Sequence, residues 1–329
     1  MKTIGGNFLK ISVLGCGRWG SFIAWYLDKI NHSVMLWGRA GSEHVEEIKA
    51  SRKNTFLSFR ESIIVTEDLE KALNYSDILI ISISAQALRD FALRIHRTKI
   101  DLSNKIFVLC MKGIEENTGK RLSEVLKECL GDKIKVAIWV GPGHVQEYAA
   151  GVPNCMVIDS KTSEIKNFLV EKFSSPLIRF YYGADMIGNE IGAAAKNVMG
   201  IAAGVLDGMK YQSLKGALMS RGTREVARLI KAMGGNEFSA YGLAHLGDYQ
   251  ATLFSPHSNN RKFGESLVTK SAYTKLAEGV ATSGALVNLG KKYGVNLPIS
   301  EAVHNAVLGK ISPERAISDL FLRSIKSEF

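Results

Sequence analysis

The sequence predicts a doubly wound α/β domain over residues 1–184 and an all-α domain over residues 185–329. Three observations carry this. In the first half, short apolar runs of strand length alternate with helical stretches, the pattern of a mostly parallel sheet covered by helices. Past about Tyr182 only long segments of helical period remain. The first strand-like run leads straight into a glycine-spaced turn and then a helix.

Strands are expected at Lys10–Leu14, Ser33–Trp37, Asp77–Ser82, Lys105–Cys110 and Lys135–Val140. Helical spacing lies between them at Phe22–Ile30, Ala85–Ile95 and Gly119–Leu130. In the second half it covers Asp185–Met209, Leu214–Met233, Ala272–Tyr293 and Pro298–Leu308, with no strand and no flexible linker at the boundary.

The bulk numbers exclude several classes. A chain of 329 residues, 46% of them hydrophobic, has core enough for about two domains. Its 31 glycines and 6 prolines suit helices and tight turns better than low-complexity linkers. No apolar run reaches the ~18 residues that span a bilayer, so stable membrane insertion is not expected. Met1–Leu9 is polar, contains Gly5-Gly6 and lacks the apolar stretch of a secretion signal. Cys16, Cys110, Cys129 and Cys155 form no C-x-x-C pair; metal and disulfide spacings are absent, and a reducing cytoplasm is the expected home. The net charge of +10 fits a merely basic protein, or one that attracts anionic metabolites. The basic residues are scattered without a run of five, so nucleic acid is not an expected partner.

Gly15-Cys16-Gly17-Arg18-Trp19-Gly20 has the G-x-G-x-x-G spacing between a strand and a helix, with a second strand following. In such a turn the first glycine permits the bend, the second lets backbone approach a pyrophosphate, and the third lets helix and strand pack closely. The helix start then turns its free N–H groups to the phosphates. This is a Rossmann dinucleotide site, against the plainer reading of a turn with no ligand. An NAD-selective site usually carries an acid after the second strand. Here stands Trp37-Gly38-Arg39-Ala40. Arg39 either binds the 2′-phosphate of NADP or is a solvated arginine that stacks on adenine. NADP or NAD is therefore the expected cofactor, NADPH slightly favoured.

In the second half, Gly192-Ala193-Ala194-Ala195-Lys196-Asn197 sets one lysine among small apolar residues. Desolvation there lowers a lysine pKa toward neutrality, which suits proton transfer at a carbonyl. The plainer reading is a surface lysine on an amphipathic helix. Lys112 and the pair Gly141 and Gly143 follow strand ends, where open α/β sheets bind ligands. Asp248, in a glycine-rich stretch, either pairs with a lysine or caps a helix. His144 and His245 are alternative proton carriers or hydrogen-bonded structural residues.

Taken in order, these segments resemble the bacterial type of NAD(P)-dependent glycerol-3-phosphate dehydrogenase, from about Lys10 to Glu328. The resemblance rests on the glycine loop with Trp19, Leu36-Trp37-Gly38-Arg39, Gln86-Ala87-Leu88-Arg89, Lys112-Gly113-Ile114-Glu115 and Gly141-Pro142. It continues through Gly192 to Val198, Ser220-Arg221-Gly222, Gly247-Asp248, Ala277-Glu278-Gly279-Val280, Pro298 to Val303 and Leu322 to Glu328. It implies reduction of dihydroxyacetone phosphate to sn-glycerol 3-phosphate, a phosphorylated small-molecule substrate and a possible homodimer. It implies Lys196 as proton donor or acceptor, with Lys112 near nicotinamide and substrate and Asp248 holding both substrate and lysine. The implied cofactor contacts are Gly15, Gly17, Arg18, Trp19, Gly20, Arg39, Lys112, Val145 and Glu278. The implied substrate contacts are Lys112, Gly141, Gly143, Lys196, Asp248, Ser258, Asn259, Asn260 and Arg261. No metal is implied.

The chain departs from the family in four places. Ser258-Asn259-Asn260-Arg261 replaces a Ser-Arg-Asn-Arg run whose first arginine binds phosphate and cofactor. Gly143 stands where Ser or Thr is usual, Ile83-Ser84-Ala85 replaces Val-Pro-Ser, and the segment from Arg261 to Glu278 is short. Either Arg261 or Lys262 replaces the lost charge, or the substrate is another small ketone.

Overall fold

The computed structural model describes residues 8–325, 327 and 328. The N-terminal stretch read for a secretion signal lies, through residue 7, outside the described residues, as does Lys326 of the closing motif. The chain forms two compact units, one of Met1–Met111 and Leu122–Ala184, the other of Lys112–Arg121 and Asp185–Phe329. A single boundary at 185 therefore omits an excursion after Met111. Its two ends are anchored by polar contacts to the helical unit. Asn197 Nδ2 donates to Lys112 O at 2.8 Å, and Arg121 Nη1 meets Glu190 Oε2 at 2.6 Å with both side chains buried. Neither anchor has a periodicity by which sequence would reveal it.

The first unit is built on β1 (Lys10–Leu14), β2 (Ser33–Trp37), β3 (Ile64–Thr66), β4 (Ile78–Ile81), β5 (Ile106–Leu109), β6 (Lys135–Val140), β7 (Asn154–Ser160) and β8 (Ile178–Tyr182). They form one sheet in the order β3-β2-β1-β4-β5-β6-β7-β8, parallel except between β6 and β7. The helices are α1 (Arg18–Lys29), α2 (Glu43–Ser51), α3 (Leu69–Tyr75), α4 (Leu88–Arg97), α5 (Leu122–Leu130), α6 (Val145–Ala149) and α7 (Ser163–Phe173). All four residues of β4 are buried, as a strand covered on both faces should be. Strand order reverses at β1, between β2 and β4, which is where ligands bind in open α/β sheets.

The helical unit contains α8 (Met186–Gly208), α9 (Lys215–Ala232), α10 (Asn259–Thr269), α11 (Gly279–Tyr293), α12 (Pro298–Val307) and α13 (Pro313–Phe321). Alanine-rich α8 is buried along most of its length. Its Gly200, Gly204 and Gly208 recur every four residues, so they share a face. A Cβ on Gly204 would lie 1.9 Å from Arg261 O, and one on Gly264 of α10 would lie 2.0 Å from Ile201 O. The two helices thus meet backbone to backbone. This contact brings the start of α10 alongside the middle of α8, where the candidate site lies. The helix expected from Ala272 begins only at Gly279, whose N–H donates to Asn260 Oδ1 at 2.9 Å.

Candidate active site

In the first unit, β1 runs into the glycine turn. Gly15 has φ +126°, and its Cβ would fall 2.1 Å from Ser82 O. A Cβ on Gly20 would fall 1.9 Å from Gly15 O. These two glycines are steric requirements of the turn. At Gly17 a Cβ would meet nothing within 4 Å. Gly17 opens α1 without a side-chain cap, and the first turn carries no acid. The arrangement is an uncapped helix N-terminus beside free space, which fits a pyrophosphate. Arg18 Nη2 donates to Gln146 Oε1 at 2.8 Å, and its guanidinium lies 5.1 Å from the Phe56 ring centroid. Trp19 packs at 4.9 Å from Phe22 and 6.4 Å from Tyr148. Buried Val145 begins α6. Gly15, Gly17, Arg18, Trp19, Gly20 and Val145 thus share one neighbourhood, and exposed Arg39 stands at the adjoining end of β2.

After β6, Gly141 and Gly143 have φ of +134° and +138°. A Cβ on Gly143 would sit 2.3 Å from the Tyr148 ring, whose hydroxyl donates to Pro142 O at 2.9 Å. Glycine at 143, instead of Ser or Thr, goes with this left-handed turn.

The second unit gathers a compact ionic cluster. Asp248, 1% exposed, turns Oδ2 to Lys112 Nζ at 2.7 Å and to Lys196 Nζ at 2.8 Å. It acts as an ion-pair partner and not as a helix cap. Lys196 Nζ also donates to Thr252 Oγ1 at 2.8 Å, and that hydroxyl donates to Asp248 O at 2.8 Å. Burial pushes the Lys196 pKa down to about 8; the Asp248 charge opposes the shift and the Lys112 charge adds to it. Asn197 links Lys112 O to α10, because its Oδ1 accepts from Asn260 Nδ2 at 3.0 Å. Asn260 Oδ1 in turn holds Gly279 N, next to Glu278 at the start of α11. Lys112, Lys196, Asp248 and Asn260 are therefore brought together, with Glu278 next in the chain to Gly279. Asn197 and Thr252 complete the set without having been singled out. The signal for Thr252 was its place four residues after Asp248, one turn on.

Other expected site residues are placed differently. Ser258 caps α10, its Oγ accepting from Arg261 N at 3.3 Å. Asn259 is the first residue of that helix, beside Asn260. Arg261 is committed elsewhere: Nη1 pairs with Asp207 Oδ2 at 2.6 Å and Nε donates to Ser255 O at 3.1 Å. Asp207, which also binds Lys215 Nζ at 2.6 Å, lies eleven residues past Lys196 on α8, about 16 Å along the axis. Arg261 is thus held in an ion pair with α8. Lys262 is exposed. His245 is no proton carrier. It is fully buried, Nδ1 lies 2.8 Å from Gly192 O, Nε2 lies 2.7 Å from Tyr249 Oη, and burial lowers its pKa to about 4.

The chain is similar to known proteins over nearly its whole length. The family model described as the NAD-dependent glycerol-3-phosphate dehydrogenase N-terminus matches residues 10–166, and that of its C-terminus matches residues 185–318. A glycerol-3-phosphate dehydrogenase (NAD(P)+) of Pelodictyon phaeoclathratiforme is 35% identical over 97% of this chain and 99% of its own. One of Fusobacterium nucleatum is 34% identical over 97% and 98%. The crystal structure of glycerol-3-phosphate dehydrogenase from Coxiella burnetii superposes with a TM-score of 0.89 at 28% identity, covering 96% of this chain and 99% of that one. With a glycine turn shaped for a dinucleotide, a buried lysine–aspartate–lysine cluster and relatives aligned from end to end, the chain belongs to the NAD(P)-dependent glycerol-3-phosphate dehydrogenase family.

Proposed function

We propose that the protein reduces dihydroxyacetone phosphate to sn-glycerol 3-phosphate with NADH or NADPH, and that Lys196 is its acid–base group. The observation that carries this reading is the cluster of Lys196, Asp248 and Lys112, in which a buried ammonium is held by one carboxylate oxygen. When bound, the nicotinamide supplies the hydride that reduces the C2 carbonyl. Lys196 gives its Nζ proton to the carbonyl oxygen as negative charge gathers there, and in the reverse direction takes the hydroxyl proton back. Asp248 and Thr252 fix the position of Lys196 Nζ. Lys112 offers a second cation, and Asn260 an amide, to the substrate. The α1 amides at Gly17 hold the pyrophosphate, with Arg18, Trp19, Arg39, Val145 and Glu278 as further cofactor contacts.

The relatives favour the family substrate over a different small ketone. We place the protein in a reducing cytoplasm, in keeping with its four free cysteines, and expect the homodimer of the family. Among the described residues no helix is long and apolar enough to cross a membrane. The test of the reaction is oxidation of NADH or NADPH on addition of dihydroxyacetone phosphate, with sn-glycerol 3-phosphate identified as the product. Absence of turnover with that ketone, together with turnover of another, would reject the substrate.

One prediction concerns phosphate binding. With Arg261 tied to Asp207, Asn259 leaves the site one guanidinium short. A charge-assisted hydrogen bond contributes about 1.5–3 kcal/mol, or roughly ten- to a hundredfold in affinity. Asn259→Arg should lower KM for dihydroxyacetone phosphate by that order, and Arg261→Ala should reduce stability while leaving KM alone. An unchanged KM in the first variant and a raised KM in the second would mean that Arg261 serves the substrate after all.

A further inference from the structure

We infer that Glu67, at the end of β3, sets the balance between NADH and NADPH by presenting a carboxylate to the turn after β2 and by holding Lys49. This rests on the reading of the first unit as a dinucleotide site. In that fold the adenosine ribose is held at the end of the second strand, usually by an acid that follows it. Trp37-Gly38-Arg39-Ala40-Gly41 contains no acid. The acid comes from the neighbouring strand. Trp37 pairs in register with Thr66, and Gly38 N donates to Thr66 O at 3.1 Å. Trp37 Nε1 donates to Glu67 O at 3.0 Å, which fixes the Glu67 backbone against β2. Glu67 Oε1 then accepts from Gly41 N at 3.3 Å, while Oε2 pairs with Lys49 Nζ of α2.

The carboxylate is therefore bound to the far end of the turn that carries Arg39, and its side chain remains 30% exposed. Lys49 and the Gly41 N–H hold it below the usual carboxyl range, so it is charged at neutral pH. The two dinucleotides differ only at the ribose 2′ position. A hydroxyl can donate to a carboxylate, whereas a phosphate dianion is repelled by it. Arg39 acts in the opposite sense, as a cation for the phosphate. Lys49 would be a second such cation, but its ammonium is paired with Glu67. Removing the Glu67 charge both lifts the repulsion and releases Lys49. The controlling acid does not follow β2 in the chain but lies twenty-six positions beyond Gly41.

The test is fluorescence titration of the substrate-free protein with NADH and with NADPH. Glu67→Gln should tighten NADPH by about tenfold or more and leave NADH unchanged or weaker, since one charge-assisted contact is at stake. Adding Lys49→Met should remove part of that gain. Glu43→Gln, which neutralises an exposed acid in the first turn of α2, is the control for general charge. An unchanged NADH to NADPH ratio in Glu67→Gln, or an equal shift in Glu43→Gln, would overturn the inference while the dinucleotide site stands. If the parent protein binds neither nucleotide, the reading of the site fails and this inference falls with it.

Discussion

Lys196→Met is expected to lower kcat for dihydroxyacetone phosphate by about 10²–10⁴-fold, the usual worth of a positioned acid or base. Methionine keeps the length and apolar packing of the stem within α8 and removes only the exchangeable proton and the charge. Cofactor affinity, measured by titration without substrate, should stay near the parental value, because Lys196 is not among the residues assigned to the dinucleotide. If the variant turned over near the parental rate, Lys196 would be a structural member of the cluster and another group would have to move the proton.

A second large effect is expected at Asp248. Its carboxylate is the shared anion of two lysines, one 9% and one 18% exposed. Asp248→Asn leaves two ammonium groups facing each other without a counter-charge. Breaking a buried pair in this way costs about 3–5 kcal/mol, somewhat less once Lys196 sheds its proton. Denaturant unfolding reads this loss. Activity should fall as well, through a different route. In the parent, the Asp248 charge raises the Lys196 pKa against the pull of burial. Its removal lowers that pKa further, so the acid form of Lys196 is lost at a lower pH. A purely structural aspartate would reduce stability without moving the pH dependence of the surviving activity.

The sequence made much of this arrangement legible, for identifiable reasons. Gly15 and Gly20 could be read because the close backbone approach dictates glycine there, and Gly17 because it stands at the expected spacing between a strand and a helix. Lys196 could be read because small residues on both sides leave it as the one long polar chain in its stretch of α8. The strands expected at β1, β2, β4, β5 and β6 are found, being short apolar runs with turn residues beside them. β3, only Ile64 to Thr66, is too short to show a period. β7 offers only the four-residue apolar run Cys155 to Ile158, bounded by polar Asn154 and Asp159. At β8 the alternation in Ile178-Arg179-Phe180 covers only three residues, one buried-exposed-buried step. The fate of Arg261 was not readable at all. Its partner Asp207 is fifty-four residues distant in sequence, and only the close approach of α8 and α10 through Gly204 and Gly264 joins them. The same holds for the chain Lys112–Asn197–Asn260–Gly279, whose links are polar and long-range.

The claim on which the account turns is that the ammonium of Lys196, held by Asp248, delivers the proton. Its most direct test is the pH dependence of kcat for dihydroxyacetone phosphate reduction, compared between the parent and Lys196→Met. The lysine must be protonated to act as the acid, and burial has brought its pKa down from 10.5 to about 8. The parent rate should therefore fall as pH rises through about 8. The residual activity of the variant should lack that limb. An identical limb in both proteins would contradict the assignment and move the proton transfer to another group.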